Sequence, residues 1–396
     1  MARVALARCE SYGREEVDRA VGRAVEAAGG LEGLVRPGAT VLLKVNLLSP
    51  QPPDRAVTTH PAVVEAVARL FSRMGARVWV GDSSGGVTAG HSRTAIAFEV
   101  TGVAKAARAA GAALVNHDRS GVVEVQNRGP TRELLPVFHL ARPVTEADVI
   151  VNLPKLKTHA LTVLTGAVKN TLGCVPGLGK MECHRRAPRP SDLARLLVDL
   201  HRAVAPALTI MDGVVAMEGN GPAAGRPRHV GAIIAGRDGV AVDTLAAMIV
   251  GAPPAANLTT AAAVAMGAGP ARLDRTDLAG DSPAGLRVQG FRLPSGAFLR
   301  ALAGRLPRPL ARWGVEMIRA RPHIHPERCT ACGLCAASCP VDAVAEAGGR
   351  PRIDPARCVG CLCCHELCPQ EAVELRHDRW LAGLALRGRH SRRGEA

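Results

Sequence analysis

Cysteine carries the plainest chemistry in this sequence. The run CTACGLCAASCP holds Cys329, Cys332, Cys335 and Cys339 ahead of Pro340, and CVGCLCCHELCP holds Cys358, Cys361, Cys364 and Cys368 ahead of Pro369. Both read C-x2-C-x2-C-x3-C-P, the spacing of thiolates that ligate iron–sulfur cubes. The short gaps let three successive sulfurs wrap one corner of a cube, and the fourth belongs to the other cube of a pair. One cluster is therefore expected on Cys329, Cys332, Cys335 and Cys368, and a second on Cys358, Cys361, Cys364 and Cys339. Cys363 is left over. It interrupts the second triplet without changing its register and reads as a small buried or half-exposed side chain. Zinc knuckles are the competing account, but zinc favours paired CxxC or Cys/His sets. Four cysteines on each cube leave no iron free for substrate, so two [4Fe-4S] clusters are expected to relay electrons.

Lysine is the second signal. The chain uses 44 Arg against 6 Lys, yet four of the six lie between residues 155 and 180, and a fifth, Lys44, sits in VLLKV. Where arginine is the default, such a cluster marks positions that need a compact ammonium or a tunable amine. Lys155, Lys157 and His159 alternate along an extended stretch and share a face. Thr162, Thr165 and Lys169, followed by Asn170, share another on the helix expected next. Together they suggest a pocket for phosphate or carboxylate; a solvated basic loop is the alternative. In MDGVVAMEGNGP, Asp212 and Glu218 flank a glycine-containing loop and Asn220 begins a turn. The two acids suit proton transfer or a divalent ion, or simply the turn itself. Cys174, Cys183 and His184 have no standard ligand spacing, so isolated buried thiols are the expectation.

The elements that must position these groups alternate. Strands are expected at 39–47, 76–82, 147–155, 208–213 and 231–236. Helices are expected at 60–75, near 93–110 and through GVAVDTLAAMIVG. Such alternation predicts an α/β domain around a mostly parallel sheet, with ligands at the carboxyl ends of its strands. Asn46, Asp82-Ser83-Ser84, Asn152 and Asp212 stand at those ends. GDSSGG reads either as a phosphate cradle or as a tight turn. The expected organisation is an α/β domain over 1–290, a basic linker with short helices over 291–322, a small α+β ferredoxin-like two-cluster domain over 323–375, and a basic tail over 376–396.

VLLKVNL, THPAVVEAV, VGDSSG, NLPKLKTH, TGAVKNTLG, MDGVVAMEGNGP and GVAVD, in that order, resemble the bacterial and archaeal family called domain of unknown function 362. Members of that family often carry a C-terminal ferredoxin pair. The resemblance puts Lys155, Lys157, His159, Lys169, Asn170, Asp212, Glu218, Asn220 and Asp243 on the family's characteristic positions, while Cys174 and Cys183 fall outside its pattern. It implies an architecture and supplies no reaction.

Composition narrows the partners. A formal charge of +15 invites nucleic acid, but aromatics are only 2% of the chain, which leaves few platforms for stacked bases. The charge is also uneven, since residues 323–375 hold seven acidic and four basic side chains, a net of −3. The basic flanks are expected to dock that acidic module or a partner. Segments 297–321 and 380–386, with Leu302, Leu306, Leu310 and Trp313 inward, read as helices packed between domains or touching acidic lipid. The opening MARVALARCESYGREEV has no apolar h-region, so a cytoplasmic protein is expected. Two functions fit: an oxidoreductase passing single electrons to or from an anion in the α/β domain, or an electron carrier or maturation accessory whose α/β part docks a redox partner. In the first, Lys155, Lys157, His159 and Lys169 grip the anion and Asp212 or Glu218 donates the proton; Asn46, Asp82, Asn170 and Asn220 complete the pocket.

Overall fold

The computed structural model describes residues 2–84, 87–88, 91–253, 256–270, 276–294 and 321–376. A ten-stranded sheet forms the centre. Its main path runs Thr276–Gly280, Ala2–Arg8, Arg226–Gly236, Leu208–Glu218, Val149–Leu153, Thr40–Val45, Arg77–Asp82 and Ala113–Asn116. Every pairing on that path is parallel except the two made by Arg226–Gly236. The α/β expectation with a mostly parallel sheet therefore holds. From Thr40–Val45 the chain builds outward through Arg77–Asp82 and Ala113–Asn116. It then returns to the other side of Thr40–Val45 as Val149–Leu153 and builds the opposite way. The crevice between these two strands is the topological switch point where open parallel sheets bind ligands.

Both faces of the sheet are covered, and the strand sequences show it. TVLLKV is buried at every residue, as strands sandwiched between helices are. Val41, Leu43 and Val45 pack with the helices Arg14–Ala27 and Pro61–Arg73, while Leu42 packs on the other face against Pro190–Val204. Lys44 shares the Leu42 face by the same two-residue period.

Several expected boundaries move. The helix near 93–110 is two, Thr94–Val100 and Val103–Ala109, because Gly102 takes a left-handed φ of 74° and the Thr101 hydroxyl bonds back to the Ala97 carbonyl. The strand expected over 147–155 ends at Leu153. Pro154 offers no N–H to the ladder, and the chain steps sideways so that Lys155–His159 pairs with Leu208–Glu218 instead. Thr162 and Thr165 are not on a helix with Lys169. Val163–Leu164 folds back on Lys155–His159, and the helix starts only at Gly166. The strand expected to stop at residue 213 runs on to Glu218. Asp212 and Glu218 thus lie on one extended strand, roughly 20 Å apart, rather than across a loop.

The C-terminal region has two small antiparallel sheets, Arg321–Ile324 with Val373–Arg376 and Val344–Ala347 with Arg350–Ile353. The short helices Leu334–Ala337 and Cys363–Leu367 complete it. Gly85 and Gly86 of GDSSGG lie outside the described residues, as do the expected helices over 297–321 and 380–386, apart from Arg321, which begins a strand. Among the described residues, no helix is long and apolar enough to cross a membrane.

Gly173 is where backbone approach is tightest near the switch point, since a methyl there would run into the Asp82 carboxylate and the Lys44 ammonium. Gly173→Ala is expected to force this buried pair apart at a cost of roughly 3–5 kcal/mol, read as a lowered thermal midpoint. Gly22→Ala, with open space around the new methyl inside a helix, should be neutral or stabilising by up to ~1 kcal/mol. Equal midpoints for the two variants would contradict the packing described here.

Candidate functional site

A cavity with about 870 Å³ of atom-free space opens at the carboxyl ends of the strands, between the α/β domain and the C-terminal region. Asn46, Asp82 and Ser83 line it from the strand ends, and Lys157, Thr165, Lys169 and Asn170 from the segment that follows Pro154. Lys180 and His184 come from the helix Gly179–Arg186, and Ser338, Cys363 and Glu366 from the cysteine-rich region. Four of the chain's six lysines, Lys44, Lys157, Lys169 and Lys180, reach this one cavity. Lys44, Lys157 and Lys169 are buried and Lys180 is half-buried, so the solvated-loop reading of the cluster fails.

Each ammonium is held differently. Lys44 pairs with Asp82 at 2.9 Å and donates to the Val45 carbonyl. Asp82 also accepts from the Leu47 and Ser83 amides, although burial raises its pKa. Lys180 donates to the Ser83 and Ser84 carbonyls and the Ser83 hydroxyl, and burial lowers it to about 8. Among the described residues, Lys157 donates to the Val57 carbonyl alone, at 2.6 Å. Burial and then the neighbouring Lys169 bring it down to about 7. Glu366 enters from the cysteine-rich region. Burial would raise its pKa, but Lys169 first, then His159 and His184, hold it ionised well below the usual carboxylate range.

His159 does not line the cavity; it backs Glu366. Its Nδ1 accepts the Leu161 amide, which leaves the proton of the neutral ring on Nε2, 2.8 Å from Glu366 Oε1. Burial, then Lys169, lowers His159 to about 4, so the ring is neutral near pH 7. Arg55 meets Glu371 at 2.5 Å nearby, a second contact between the two regions.

The cysteines gather as the spacing predicts. Cys329, Cys332, Cys335 and Cys368 line one void of about 350 Å³ of atom-free space. Cys339, Cys358, Cys361 and Cys364 line another of about 310 Å³. Among the described residues, no three Cys, His, Asp or Glu side chains converge on a point where a single metal ion would sit. Four thiols around each void match the ligand count of one [4Fe-4S] cube. The leftover Cys363 is buried and lines both the second void and the lysine cavity.

Other expected residues stand elsewhere. Lys155 pairs with Asp212 at 2.7 Å, and Tyr12 bonds to both; neither Lys155 nor Asp212 lines the cavity, because the strand irregularity after Lys155 separates it from Lys157. Glu218 accepts the Arg292 amide, and Asn220 lies exposed in its turn. Asp212 and Glu218 therefore do not face an anion in this cavity, nor do they converge on a divalent ion. Cys174 and Cys183 are buried, and burial pushes both thiols up to about 12. Sequence reasoning assigned no pocket role to Lys180, His184 or Glu366, all of which line the cavity. Lys180 stood in the lysine-rich stretch, and Glu366 lay inside the second cysteine run.

Comparison with known proteins matches residues 41–248 to the model for the domain of unknown function DUF362. The thylakoid-associated protein sll1697 of Synechocystis sp. is 35% identical over 292 residues, covering 74% of this chain and 87% of that protein. The chain belongs to the DUF362 family. Residues 322–345 match a 4Fe-4S binding domain, which makes this DUF362 member an iron–sulfur protein. A solved structure of the lactate racemase apoprotein from Thermoanaerobacterium thermosaccharolyticum aligns over 60% of this chain with a TM-score of 0.41 and 11% identity. The chain spans little more than half of that protein, 55%. All α/β side chains named in the cavity fall inside the DUF362 match.

Lys157 sets a pH dependence for anion binding. Below about 7 it is protonated and adds positive charge to the cavity; above, it is neutral. Glycolate, which stays a monoanion over this range, is therefore expected by calorimetry to bind more weakly as pH rises through that value, and Lys157→Gln should flatten the profile.

Proposed function

We propose that this protein binds two [4Fe-4S] clusters and exchanges electrons between them and a small anion held in the lysine-lined cavity. Cys363 carries the reading, because its side chain lies between the second cysteine-lined void and that cavity. Bound to the eight cysteines, the clusters would supply or accept single electrons. The chain's own residues do the rest. Lys169 and Lys157 hold the anion's charge, and Thr165 and His184 stand beside them with buried polar atoms that have no partner. Lys157, at about 7, replaces Asp212 and Glu218 as the proton donor, since it alone combines that value with a place in the cavity and a single carbonyl partner. All twelve cysteines are free thiols, which suits ligation in a reducing compartment such as the cytoplasm.

The carrier reading has less behind it. Glu366 and Glu371, carboxylates that an external partner would need, face this chain's own His159 and Arg55.

Anaerobically reconstituted full-length protein is expected to hold about eight irons, and Cys332→Ser and Cys361→Ser about half as many each. Added phosphate or glycolate should change the rate of cluster reoxidation. Lys169→Gln should abolish that response and leave the iron content alone. Full iron with no response to any anion would leave a carrier in place of an oxidoreductase.

A further inference from the structure

Three amides at the switch point have their orientations dictated one after another. Asn152 Nδ2 donates to the Ala167 carbonyl at 2.9 Å, so its Oδ1 must accept, and Asn170 Nδ2 donates to it at 2.7 Å. The same Asn170 nitrogen also faces the Lys44 and Val45 carbonyls, which accept only. Asn170 Oδ1 is thereby turned toward Asn46, whose Nδ2 donates to it at 2.9 Å. What remains is Asn46 Oδ1, an acceptor fixed in place on a residue that lines the cavity. It is buried and has no partner among the described residues.

A flip would not relieve it, since turning Asn46 would bring two carbonyl oxygens together. The neighbouring Thr165 hydroxyl also lacks a partner, but a hydroxyl rotates and serves donor or acceptor alike. Asn46 Oδ1 has no such freedom. A ligand seated against Asn46 must donate to this oxygen or leave it unpaired, which costs affinity.

Resting on the anion-binding reading above, we infer that the anion this cavity selects carries a hydrogen-bond donor (a hydroxyl, an amine or an acidic proton) that meets Asn46 Oδ1 while the lysines take its charge. An anion built only of acceptors leaves that oxygen buried and unpaired. This excludes fully deprotonated oxyanions and simple alkyl carboxylates as preferred ligands, and it favours hydroxy or amino carboxylates and protonated phosphates.

Calorimetry on the anaerobically reconstituted full chain near neutral pH tests this with two matched pairs: glycolate against acetate, and hydrogenphosphate against sulfate. The donor-bearing member of at least one pair should bind about tenfold or more tightly. Asn46→Ala should bring that ratio to about one while acetate binding survives through Lys169. Equal affinities within both wild-type pairs would overturn the donor requirement and leave the anion site standing. No binding of any of the four would overturn the anion site itself. The wild-type ratios decide the matter even if Asn46→Ala fails to fold.

Discussion

Burying an ammonium group is the constraint around which this molecule is arranged. Each one taken from water costs several kcal/mol unless charge or well-placed dipoles replace the lost hydration. Around the switch-point cavity, four such groups meet two ionisable carboxylates, Asp82 and Glu366. Asp82 answers Lys44 directly, and backbone carbonyls answer Lys157 and Lys180. Glu366 faces Lys169 and Asp118 stands by Lys180, which leaves Lys157 as the ammonium without a direct carboxylate contact among the described residues. An anion relieves that imbalance, and so does loss of the proton from Lys157. The cavity therefore has two ways to shed charge near neutral pH, and both concern the same group.

The same constraint explains how the cysteine-rich region is attached. Glu366 sits one turn from the thiols of the second void and is held ionised chiefly by Lys169, with the neutral His159 ring behind it. Pulling the two regions apart would strand a carboxylate and a cation at once. Lys169 and Asn170 are themselves placed by a five-residue helix, too short to stand alone. Asp243 holds its start by accepting the Ala167 and Val168 amides, and burial carries this carboxyl up to about 7. An acid kept at the interior end of a helix, a cation at its far end, and a carboxylate from the second region form one continuous polar spine.

How much of this was legible in the chain follows from the range of each interaction. Cysteine spacing is local, so both cysteine runs could be read directly, and in the folded molecule their cysteines line two voids. The lysine bias was compositional and equally legible, and four of six lysines meet in one place. What escaped depends on contacts between distant segments. Nothing near Glu366 signals a lysine nearly 200 residues away, and His184 looked idle because it was weighed as a metal ligand. Asp212 was misplaced for a different reason: GVVAME continues the ladder after an irregularity at Gly213, and glycine there reads from sequence as a stop. Pro154 had the opposite effect, ending one strand and starting another, and the irregularity after Lys155 then carried Lys155 and Lys157 to different surroundings.

Two buried lysine–aspartate pairs on the same sheet show what separates a structural charge from a functional one. Asp212 accepts from Tyr12, Val214, His60 and Lys155, and the Tyr12 hydroxyl in turn takes Lys155 and the Val215 amide. The ring of His60 stacks on Tyr12 at 3.5 Å and closes the cluster. None of the buried side-chain polar atoms of Tyr12, Lys155 and Asp212 lacks a partner, and a satisfied network has nothing left to offer a ligand. Around Lys44 and Asp82 the bookkeeping does not close. Asn46, Thr165 and His184 each keep a buried polar atom without a partner in the described structure. Leaving such atoms unpaired costs stability that a purely structural core would not surrender. These atoms, beside buried ammonium groups and against the cysteine-rich region, are why we propose that cavity, and not the Tyr12 cluster, as the place where an anion binds.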